Sequence, residues 1–267
     1  MLLNIADMAR STYYYYIKNN TGENKYSAVS KQIQKLYWEH KGRLGYRRIL
    51  LGLKDQGYVI NHKTVLKLMQ QMKLRSLIRG KKYQSYKGEQ GKIAPNLLQR
   101  QFKASQPLQK LATDITEFKV KDKKLYLSPI IDLFNGEIIS YKLSERADFK
   151  QVVDMLKKAS ARLKGGNKTM LHSDQGWQYQ MKQYQHLLKV NNIEQSMSRK
   201  GNCLDNAIIE NFFGTIKAEL YYLKQYESIV ELKADIRNYI NYYNHKRIRL
   251  NLKGMSPVQY RAHYHIS

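Results

Sequence analysis

The hydrophobic pattern of the chain changes its period at Pro107, and this change constrains the fold more than any other feature. Between residues 27 and 72, apolar side chains recur every three or four positions, which predicts a bundle of about three short helices. After Pro107, alternating apolar residues predict strands over 111–120, 125–134 and 137–143. The chain is therefore expected to contain two structural units of different class.

Helices and strands alternate after these three strands. The apolar spacing predicts a helix over 152–163, a strand over 169–172, a helix over 179–190, a strand over 193–197 and a helix over 206–222. The second and third strands are joined by Asn135-Gly136, a pair typical of a tight hairpin turn. We therefore expect an α/β fold with a mixed five-stranded sheet and flanking helices, preceded by a small all-helical module.

Composition divides the chain further. Residues 81–106 are rich in Lys, Gly and Gln and lack apolar periodicity, which predicts a basic linker. On this basis we expect residues 1–80 to form the helical module and residues 107–225 to form the α/β core. Residues 226–267 are expected to form a helical basic extension.

The charge of the chain indicates its partner. The 47 Lys and Arg against 21 Asp and Glu give a net charge of +26, which repels itself unless an anion is bound. Nucleic acid is the expected anion. A membrane is the rival, but no segment approaches the roughly 18 apolar residues of a spanning helix, and the N-terminus lacks a secretory pattern. We expect a cytoplasmic protein, and its single Cys203 excludes an internal disulfide or a cysteine zinc cluster.

The helical module carries a basic face. Its predicted polar side holds Arg43, Arg47, Arg48, Lys63 and Lys67. This arrangement is expected of a helix-turn-helix-like module that meets DNA phosphates. An ordinary solvated basic face would show the same pattern, so the two interpretations stand side by side.

Three acidic residues stand out in this basic chain. Asp114 lies inside a predicted strand, where a charge facing the core is costly unless it is paired or bound to metal. Asp174 follows the short strand 169–172, at a strand end where side chains converge on ligands. Glu210 lies in the helix 206–222 and can project toward the sheet edge. These acids are the candidate catalytic residues.

Helical spacing places further residues beside Glu210. Asn206, Glu210, Phe213 and Lys217 are separated by 4, 3 and 4 residues and so share one face of the helix. Lys217 is therefore a candidate to contact a phosphate beside Glu210. The alternative is an amphipathic core helix with an exposed Glu and Lys.

The three acids lie in segments that carry a family resemblance. TDIT, HSDQGWQY and SRKGNCLDNAIIENFFGTIKAE closely resemble the three catalytic blocks of the DDE transposases of the IS-three group of insertion sequences, relatives of retroviral integrases. Asp174 and Glu210 have 35 residues between them, a spacing typical of that family. The resemblance extends through Gly45-Tyr46-Arg47-Arg48-Ile49 and the terminal Ser-Pro segment, so it covers most of the chain.

The resemblance implies a ribonuclease-H-like core in which Asp114, Asp174 and Glu210 coordinate two Mg²⁺ ions, with Mn²⁺ expected to substitute. Two hard cations would relieve the repulsion among three carboxylates and assist an in-line phosphoryl displacement. The implied reaction begins with water, which frees a 3′-hydroxyl at the element's end. That hydroxyl then attacks a second phosphodiester.

Supporting roles are assigned to residues near the acids. His172 and Ser173 are candidates to orient Asp174 by hydrogen bonds, with a purely structural histidine as the alternative. Asn206 is a supporting residue, and Trp177 either stacks on a flipped base or packs. The candidate DNA contacts are Lys217, Arg199 and Lys200 near the acids, and Arg47 and Arg48 in the helical module.

The expected partners follow from the resemblance. They are double-stranded DNA, as element ends and as target, further copies of the chain in a synaptic complex, and an upstream helix-turn-helix product as fusion partner. The expected location is the cytoplasm, on the nucleoid. Two other functions remain open, namely a catalytically silent DNA-binding regulator and a structure-specific nuclease of the same fold.

Overall fold

The structure of the chain, a computed structural model, describes residues 8–20, 26–77, 93–163, 168–199 and 206–266. These residues belong to two compact units, which divide between Ser76 and Leu77. Each unit has its own hydrophobic core.

The first unit is helical, as the sequence predicts. Its helices are α1 (Arg10–Asn20), α2 (Ser27–Glu39), α3 (Tyr46–Asp55) and α4 (His62–Gln71). The last three enclose a core of Ile33, Leu36, Ile49, Leu53, Val65 and Leu68. Two residues mark the break between α3 and α4: Gly57 has a φ of +84°, and the side chain of Asn61 accepts a hydrogen bond from the Lys63 N–H at 2.8 Å.

Arg43 does not lie on the polar face that the sequence predicts. It is only 8% exposed, in the loop between α2 and α3. Arg47, Lys63 and Lys67 are exposed, as expected. The prediction was wrong for Arg43 because a loop has no period from which the direction of a side chain follows.

The second unit is built on a mixed sheet. Its strands are β1 (Lys110–Thr113), β2 (Thr116–Val120), β3 (Lys123–Asp132), β4 (Ile138–Ser144), β5 (Thr169–Ser173) and β6 (Ile193–Met197). β4 pairs along one edge of β3, and β1 and β2 follow one another along the other. All three run antiparallel to β3, whereas β5 is parallel to β1 and β6 is parallel to β5.

The sheet has six strands rather than the five expected, because the predicted strand 111–120 is divided in two. The division falls at Asp114-Ile115. Asp114 Oδ1 accepts a hydrogen bond from the Ile115 N–H at 2.7 Å. A short polar side chain that accepts a hydrogen bond from the neighbouring backbone N–H competes with the hydrogen bonds between strands, and the strand pairing is interrupted there.

Helices cover both faces of the sheet. They are α5 (Phe149–Ser160), α6 (Trp177–Gln180), α7 (Lys182–Val190), α8 (Ala207–Glu219), α9 (Ile229–His245) and α10 (Pro257–Ile266), with 3₁₀ turns at Tyr221–Leu223 and Leu250–Leu252. One hydrophobic cluster joins α8 and α9 to the sheet through Leu127, Ile131, Phe213 and Ile236. A second joins α5 and α7 through Ile130, Val152, Leu156 and Leu188.

Segments that the sequence assigns to a linker and an extension pack into this unit. Within the predicted linker, the N–H groups of Leu97 and Leu98 donate to Ser196 Oγ on β6 at 3.0 and 3.2 Å. Residues 81–92 lie outside the described residues. At the other end, Ile236 of α9 shares a core cluster with Phe213 of α8. Residues 77–267 accordingly form one unit.

The turn between β3 and β4 is organised by Asp132. Its carboxylate accepts hydrogen bonds from the N–H groups of Leu108 at 2.9 Å and Phe134 at 3.0 Å, and its carbonyl accepts from Gly136 at 2.7 Å. Gly136 has a φ of +75°, which a side chain would strain. The turn is thus longer than the two residues expected, and Asp132 has a structural role in it.

Asp132 should make the stability of the unit depend on pH. Burial raises the pKa of Asp132 to about 6 from 3.8, against the opposing effect of its backbone hydrogen bonds. The native state therefore holds a proton that the unfolded chain releases, so the contribution is complete below pH 3.8 and is lost as pH rises through 6. Relative to an Asp132→Asn variant, we expect the native protein to lose about 3 kcal/mol of unfolding free energy over this range. Urea titrations of both proteins from pH 4 to about 7.5 measure the free energy of unfolding at each pH. If this free energy varied with pH in the same way for both proteins, the prediction would be contradicted.

Among the described residues, no helix is both long enough and apolar enough to cross a membrane.

Candidate active site

Parallel pairing of β1 with β5 brings two of the three predicted acids together. Leu111 pairs with Leu171 and Ala112 with His172, so the two strands end side by side. Asp114 follows the end of β1, and Asp174 follows the end of β5. Carboxyl ends of parallel strands are where side chains converge on ligands, which gives the candidate site its position.

The Asp114 carboxyl group is electrostatically strained. Burial raises its pKa well above the usual range, and the charges of Asp174 and Glu210 raise it further. The hydrogen bond from Ile115 and the charge of Lys217 act in the opposite direction. Both neighbouring acids are therefore near enough to Asp114 for their charges to destabilise its ionised form.

The loop after β5 holds Asp174. Its Oδ1 accepts a hydrogen bond from the Gly176 N–H at 2.9 Å, and Ser173 Oγ donates to its backbone carbonyl at 2.9 Å. Gln175 ties the loop to β6, because its Nε2 donates to the Ser198 carbonyl at 3.0 Å. A Cβ on Gly176 would lie 2.9 Å from Asp174 Oδ1, so a larger residue here would displace the Asp174 carboxylate. Burial raises the pKa of Asp174, and the Gly176 hydrogen bond opposes the rise.

Glu210 and Lys217 approach the same place from α8. Glu210 lies in the first turn of the helix, and burial followed by the charge of Asp174 raises its pKa. Lys217 is two turns further on, with its Nζ 5.4 Å from the centre of the Phe118 ring. Burial lowers the pKa of Lys217, and the charges of Glu117 and Asp114 oppose this. Asp114 thus interacts electrostatically with the other three predicted residues.

The donor set suits a hard divalent cation. All three acids offer oxygen donors. Burial raises the pKa values of all three, neighbouring acids add to the rise for Asp114 and Glu210, and a bound positive charge would stabilise the ionised forms. Among the described residues, however, no group of three His, Cys, Asp or Glu side chains is close enough together to hold a metal ion as placed.

His172 supports the sheet rather than the Asp174 carboxylate. It is fully buried, and its Nδ1 lies 2.8 Å from Ser196 Oγ. Because Ser196 Oγ already accepts from Leu97 and Leu98, its own proton is available to His172 Nδ1. His172 therefore links β5 to β6 and to the segment before β1. Ser173 does contact Asp174, but at the backbone carbonyl.

The remaining predicted residues differ in their burial. Asn206 is buried immediately before α8, and its side-chain amide has no hydrogen-bond partner among the described residues. Arg199 is exposed two residues after β6, and Trp177 is 50% exposed at the start of α6. Lys200 lies outside the described residues.

Tyr179 is a neighbour of the acids that the sequence interpretation missed. It is 1% exposed, and burial raises the pKa of its phenol well above the ordinary value. The charges of Asp114 and Asp174 add to the rise, which places the phenol beside both. Its position in HSDQGWQY, the segment that carries Asp174, was the available signal.

In the helical unit, the two residues predicted to contact DNA, Arg47 and Arg48, lie in the first turn of α3. Arg47 is exposed, its guanidinium carbon lies 5.6 Å from the centre of the Tyr46 ring, and its Nε donates to the Tyr46 hydroxyl at 3.1 Å. Arg48 is partly buried. Both lie at the N-terminus of a helix that packs on α4 within the bundle.

Comparison with known proteins identifies both units. Residues 104–203 and 210–264 match integrase core domain families, and residues 25–82 match an HTH-like domain. InsK, named as a transposase for insertion sequence element IS150 of Escherichia coli strain K12, is 53% identical over 97% of this chain and 92% of its own length. The chain belongs to the IS150/IS3 family of insertion-sequence transposases.

The transposase is similar to further relatives. InsF, the transposase for insertion sequence IS3A of Escherichia coli strain K12, is 36% identical over 82% of this chain and 77% of its own. A chain of the simian T-cell lymphotropic virus intasome, solved in complex with PP2A regulatory subunit B56 gamma, matches with a TM-score of 0.52 at 18% identity. That match covers 86% of this transposase and 74% of the viral chain, and it shows the shared fold. The ribonuclease-H-like core and the helix-turn-helix-like unit are thereby confirmed.

Proposed function

We propose that this transposase is a Mg²⁺-dependent DDE polynucleotidyl transferase, with Asp114, Asp174 and Glu210 as the ligands of two ions. The observation that carries the proposal is the position of Asp114 and Asp174 at the ends of the adjacent parallel strands β1 and β5, where the charges of Asp174 and of Glu210 on α8 both act on Asp114. Three carboxylates that repel one another in the protein alone are the expected counterpart of a bound cation. Mn²⁺ should substitute.

The residues of the chain divide the work. Bound metal ions would supply activation of the attacking oxygen and neutralisation of the leaving oxygen in an in-line displacement at phosphorus. Ile115 and Gly176 hold the Asp114 and Asp174 carboxylates through their backbone N–H groups. Lys217, partly buried and within the influence of the Asp114 charge, is proposed to contact a phosphate oxygen of the substrate. Arg199 and Lys200 are proposed as further phosphate contacts.

The proposed reaction has two steps at phosphorus. In the first, a water oxygen bonds to the phosphorus at the element's end, and the 3′-oxygen leaves as a free hydroxyl. In the second, that hydroxyl attacks a phosphodiester of the target, whose own 3′-oxygen leaves. A tyrosine nucleophile is not required, and the phenols of Tyr179 and Tyr184 are too deeply buried at 1% exposure to reach a phosphodiester.

The proposed partners are double-stranded DNA, held as element ends and as target, and further copies of the chain in a synaptic complex. Arg47 and Arg48 in the helical unit are proposed to contact DNA phosphates. An upstream helix-turn-helix product is proposed as a fusion partner, and the nucleoid as the place of action.

Strand joining should depend on Glu210 and on a divalent cation. The test incubates the chain with labelled DNA that carries both ends of its own element and with a supercoiled target plasmid. We expect nicking and joining with Mg²⁺ or Mn²⁺ and neither in EDTA. Glu210→Gln should lower both by at least about a thousandfold, because groups that act as a unit fail together.

Glu227→Gln is the matched control, because the substitution makes the same chemical change away from the three acids. The Glu227 side chain is 75% exposed and forms an ion pair with Lys121. The variant should retain full activity. Full joining by Glu210→Gln would overturn the assignment of the site. Salt-sensitive binding with no cleavage would favour a silent regulator, and cleavage of branched DNA with no joining would favour a nuclease.

A further inference from the structure

The phenol of Tyr179 is a buried polar group to which the proposed reaction gives no role. Tyr179 is the third residue of α6 and follows Asp174 closely in the sequence. Its hydroxyl forms no hydrogen bond within the described residues. A buried hydroxyl without a partner is unfavourable, because it has lost its contacts with water and gained none in return. Phenylalanine would fill the same space without this cost.

The neighbouring hydroxyl of Thr113 does not satisfy the phenol. Thr113 ends β1, immediately before Asp114. Burial raises the pKa of Tyr179, and the Thr113 hydroxyl is close enough to oppose part of the rise. However, Thr113 Oγ1 donates its proton to the Pro129 carbonyl at 2.9 Å, so it has none left for the phenol oxygen. The phenol proton itself has no acceptor at hydrogen-bond geometry among the described residues.

The ring of Tyr179 is held in place from several sides. Its N–H donates to the Gly176 carbonyl at 3.0 Å, and its carbonyl accepts from Gln195 Nε2 at 2.8 Å. The ring meets that of Tyr184 edge to face, with the centroids 5.5 Å apart. The side chain also belongs to the hydrophobic cluster that contains Leu111 of β1. The position of the hydroxyl is therefore set by the fold of this unit.

The fixed phenol lies beside the acids at the strand ends. A Cβ placed on Gly176 would lie 2.9 Å from Asp174 Oδ1 and 3.3 Å from Cδ2 of the Tyr179 ring, so the carboxylate and the ring border the same point. After burial, the charges of Asp114 and then Asp174 raise the pKa of the phenol most. A hydrogen-bond donor without an acceptor thus lies close to two groups that, when ionised, only accept.

Tyr184 shares the burial of Tyr179 but not its position. Its hydroxyl is also buried and also lacks a hydrogen-bond partner in the described part of the chain. Burial accounts for the raised pKa of Tyr184, and no described acid is among the causes. An unsatisfied hydroxyl is therefore not by itself a sign of function in this unit. The proximity to Asp114 and Asp174 sets Tyr179 apart.

We propose that Tyr179 is a positioning residue whose hydroxyl donates a hydrogen bond to the Asp114 carboxylate when that carboxylate ligates a divalent cation. The inference rests on the proposed function, because it concerns the same cation. Asp114 can accept this bond, since a carboxylate has about four lone-pair sites and the Ile115 N–H occupies one of them at 2.7 Å. Hydrogen bonds to a metal ligand fix its orientation and raise the affinity for the metal.

The test titrates the full chain with Mn²⁺ in the absence of DNA and measures the free ion by electron paramagnetic resonance. Tyr179→Phe removes only the hydroxyl and should weaken Mn²⁺ binding by about tenfold. Tyr184→Phe is the matched control, because it makes the same change in the ring that packs against Tyr179. It should leave Mn²⁺ binding unchanged. Neither variant should be less stable than the native protein to urea in EDTA, because each loses a hydroxyl without a partner.

The Mg²⁺ dependence of nicking separates a positioning role from a general defect. Tyr179→Phe should need about tenfold more Mg²⁺ for half-maximal nicking. Its rate at saturating Mg²⁺ should approach the native rate, because Asp114, Asp174 and Glu210 all remain. A loss of rate that no concentration of Mg²⁺ restores would contradict the positioning role.

Native Mn²⁺ affinity in Tyr179→Phe would overturn the inference. An equal loss of affinity in Tyr184→Phe would also overturn it, because the effect would then come from the packing of the two rings. A loss of stability in Tyr179→Phe with native Mn²⁺ affinity would make the hydroxyl structural.

Glu210→Gln in the same titration tests the proposed function separately. If the native chain bound no Mn²⁺, or bound it no more tightly than Glu210→Gln, the proposed metal site would fail and this inference with it. If Glu210→Gln lost affinity while Tyr179→Phe kept it, the metal site would stand and only the role of Tyr179 would fall.

Discussion

Replacing Asp114 by asparagine is expected to abolish strand cleavage and joining while leaving the second unit at least as stable as before. Activity should fall by at least about a thousandfold. The asparagine amide has no negative charge to neutralise a cation, so it cannot take the place of the Asp114 carboxylate among the proposed metal ligands. Stability should hold or rise, since burial and the charges of Asp174 and Glu210 disfavour the ionised carboxylate in the folded protein. A raised carboxyl pKa means that ionisation of Asp114 at neutral pH lowers the free energy of unfolding. The asparagine amide does not ionise and so avoids this loss of stability.

Two measurements separate the catalytic role of Asp114 from a structural one. Urea unfolding in EDTA reports stability, and joining of element ends with Mg²⁺ reports activity. Asp122→Asn, in the exposed turn between β2 and β3, is the matched control and should change neither. The Ile115 N–H, now 2.7 Å from Asp114 Oδ1, can still donate to the amide oxygen. A marked loss of stability would make Asp114 a structural residue, and retained joining would remove it from the site.

Replacing Arg247 by methionine is expected to destabilise the second unit by about 3–5 kcal/mol. Arg247 binds the Glu219 carboxylate through two nitrogens, Nε at 2.9 Å and one terminal nitrogen at 2.6 Å, and Tyr239 donates to the same carboxylate at 2.8 Å. The Glu219 side chain is only 2% exposed. Without the guanidinium the Glu219 carboxylate would be a buried charge that has lost its counterion, which is costly. Glu219 ends α8, the helix that carries Glu210.

The comparison with an exposed ion pair tests this reason. Lys121→Met breaks the pair with Glu227, whose side chains are 63% and 75% exposed, and should cost no more than about 1 kcal/mol. Adding Glu219→Leu to Arg247→Met should recover much of the loss, because no uncompensated charge is then buried. Equal urea midpoints for Arg247→Met and Lys121→Met would show that the buried pair contributes no more than a surface pair.

Most of the secondary structure could be predicted because it follows from local pattern. The strand predicted over 193–197 is found as Ile193–Met197, and the helix predicted over 206–222 is found as Ala207–Glu219 with a 3₁₀ turn after it. The helix predicted over 179–190 is two helices, α6 and α7, separated at Met181. Apolar periodicity shows which face of a helix is buried, but it does not show where the chain changes direction at a single residue.

Pairings between distant segments could not be predicted in this way. The strand break at Asp114 arises from a hydrogen bond to the next residue, and periodicity continues through it. The bond of His172 to Ser196 depends on which side of β5 receives β6. The burial of Arg43 depends on the packing of a loop. The strand break is a local hydrogen bond, and the other two features are consequences of packing. The spacing of apolar residues carries no information on any of the three.

The sequence by itself determined most of the order of helices and strands, the excess of positive charge and which three acids were candidates for the site. These are properties of composition and of short-range spacing. Only the tertiary structure decided that Asp114 and Asp174 lie side by side, because that depends on Leu111 pairing in parallel with Leu171. The same holds for the two buried phenols: Tyr179 and Tyr184 both follow Asp174 closely in the sequence, but only the fold places Tyr179 beside the acids and Tyr184 apart from them.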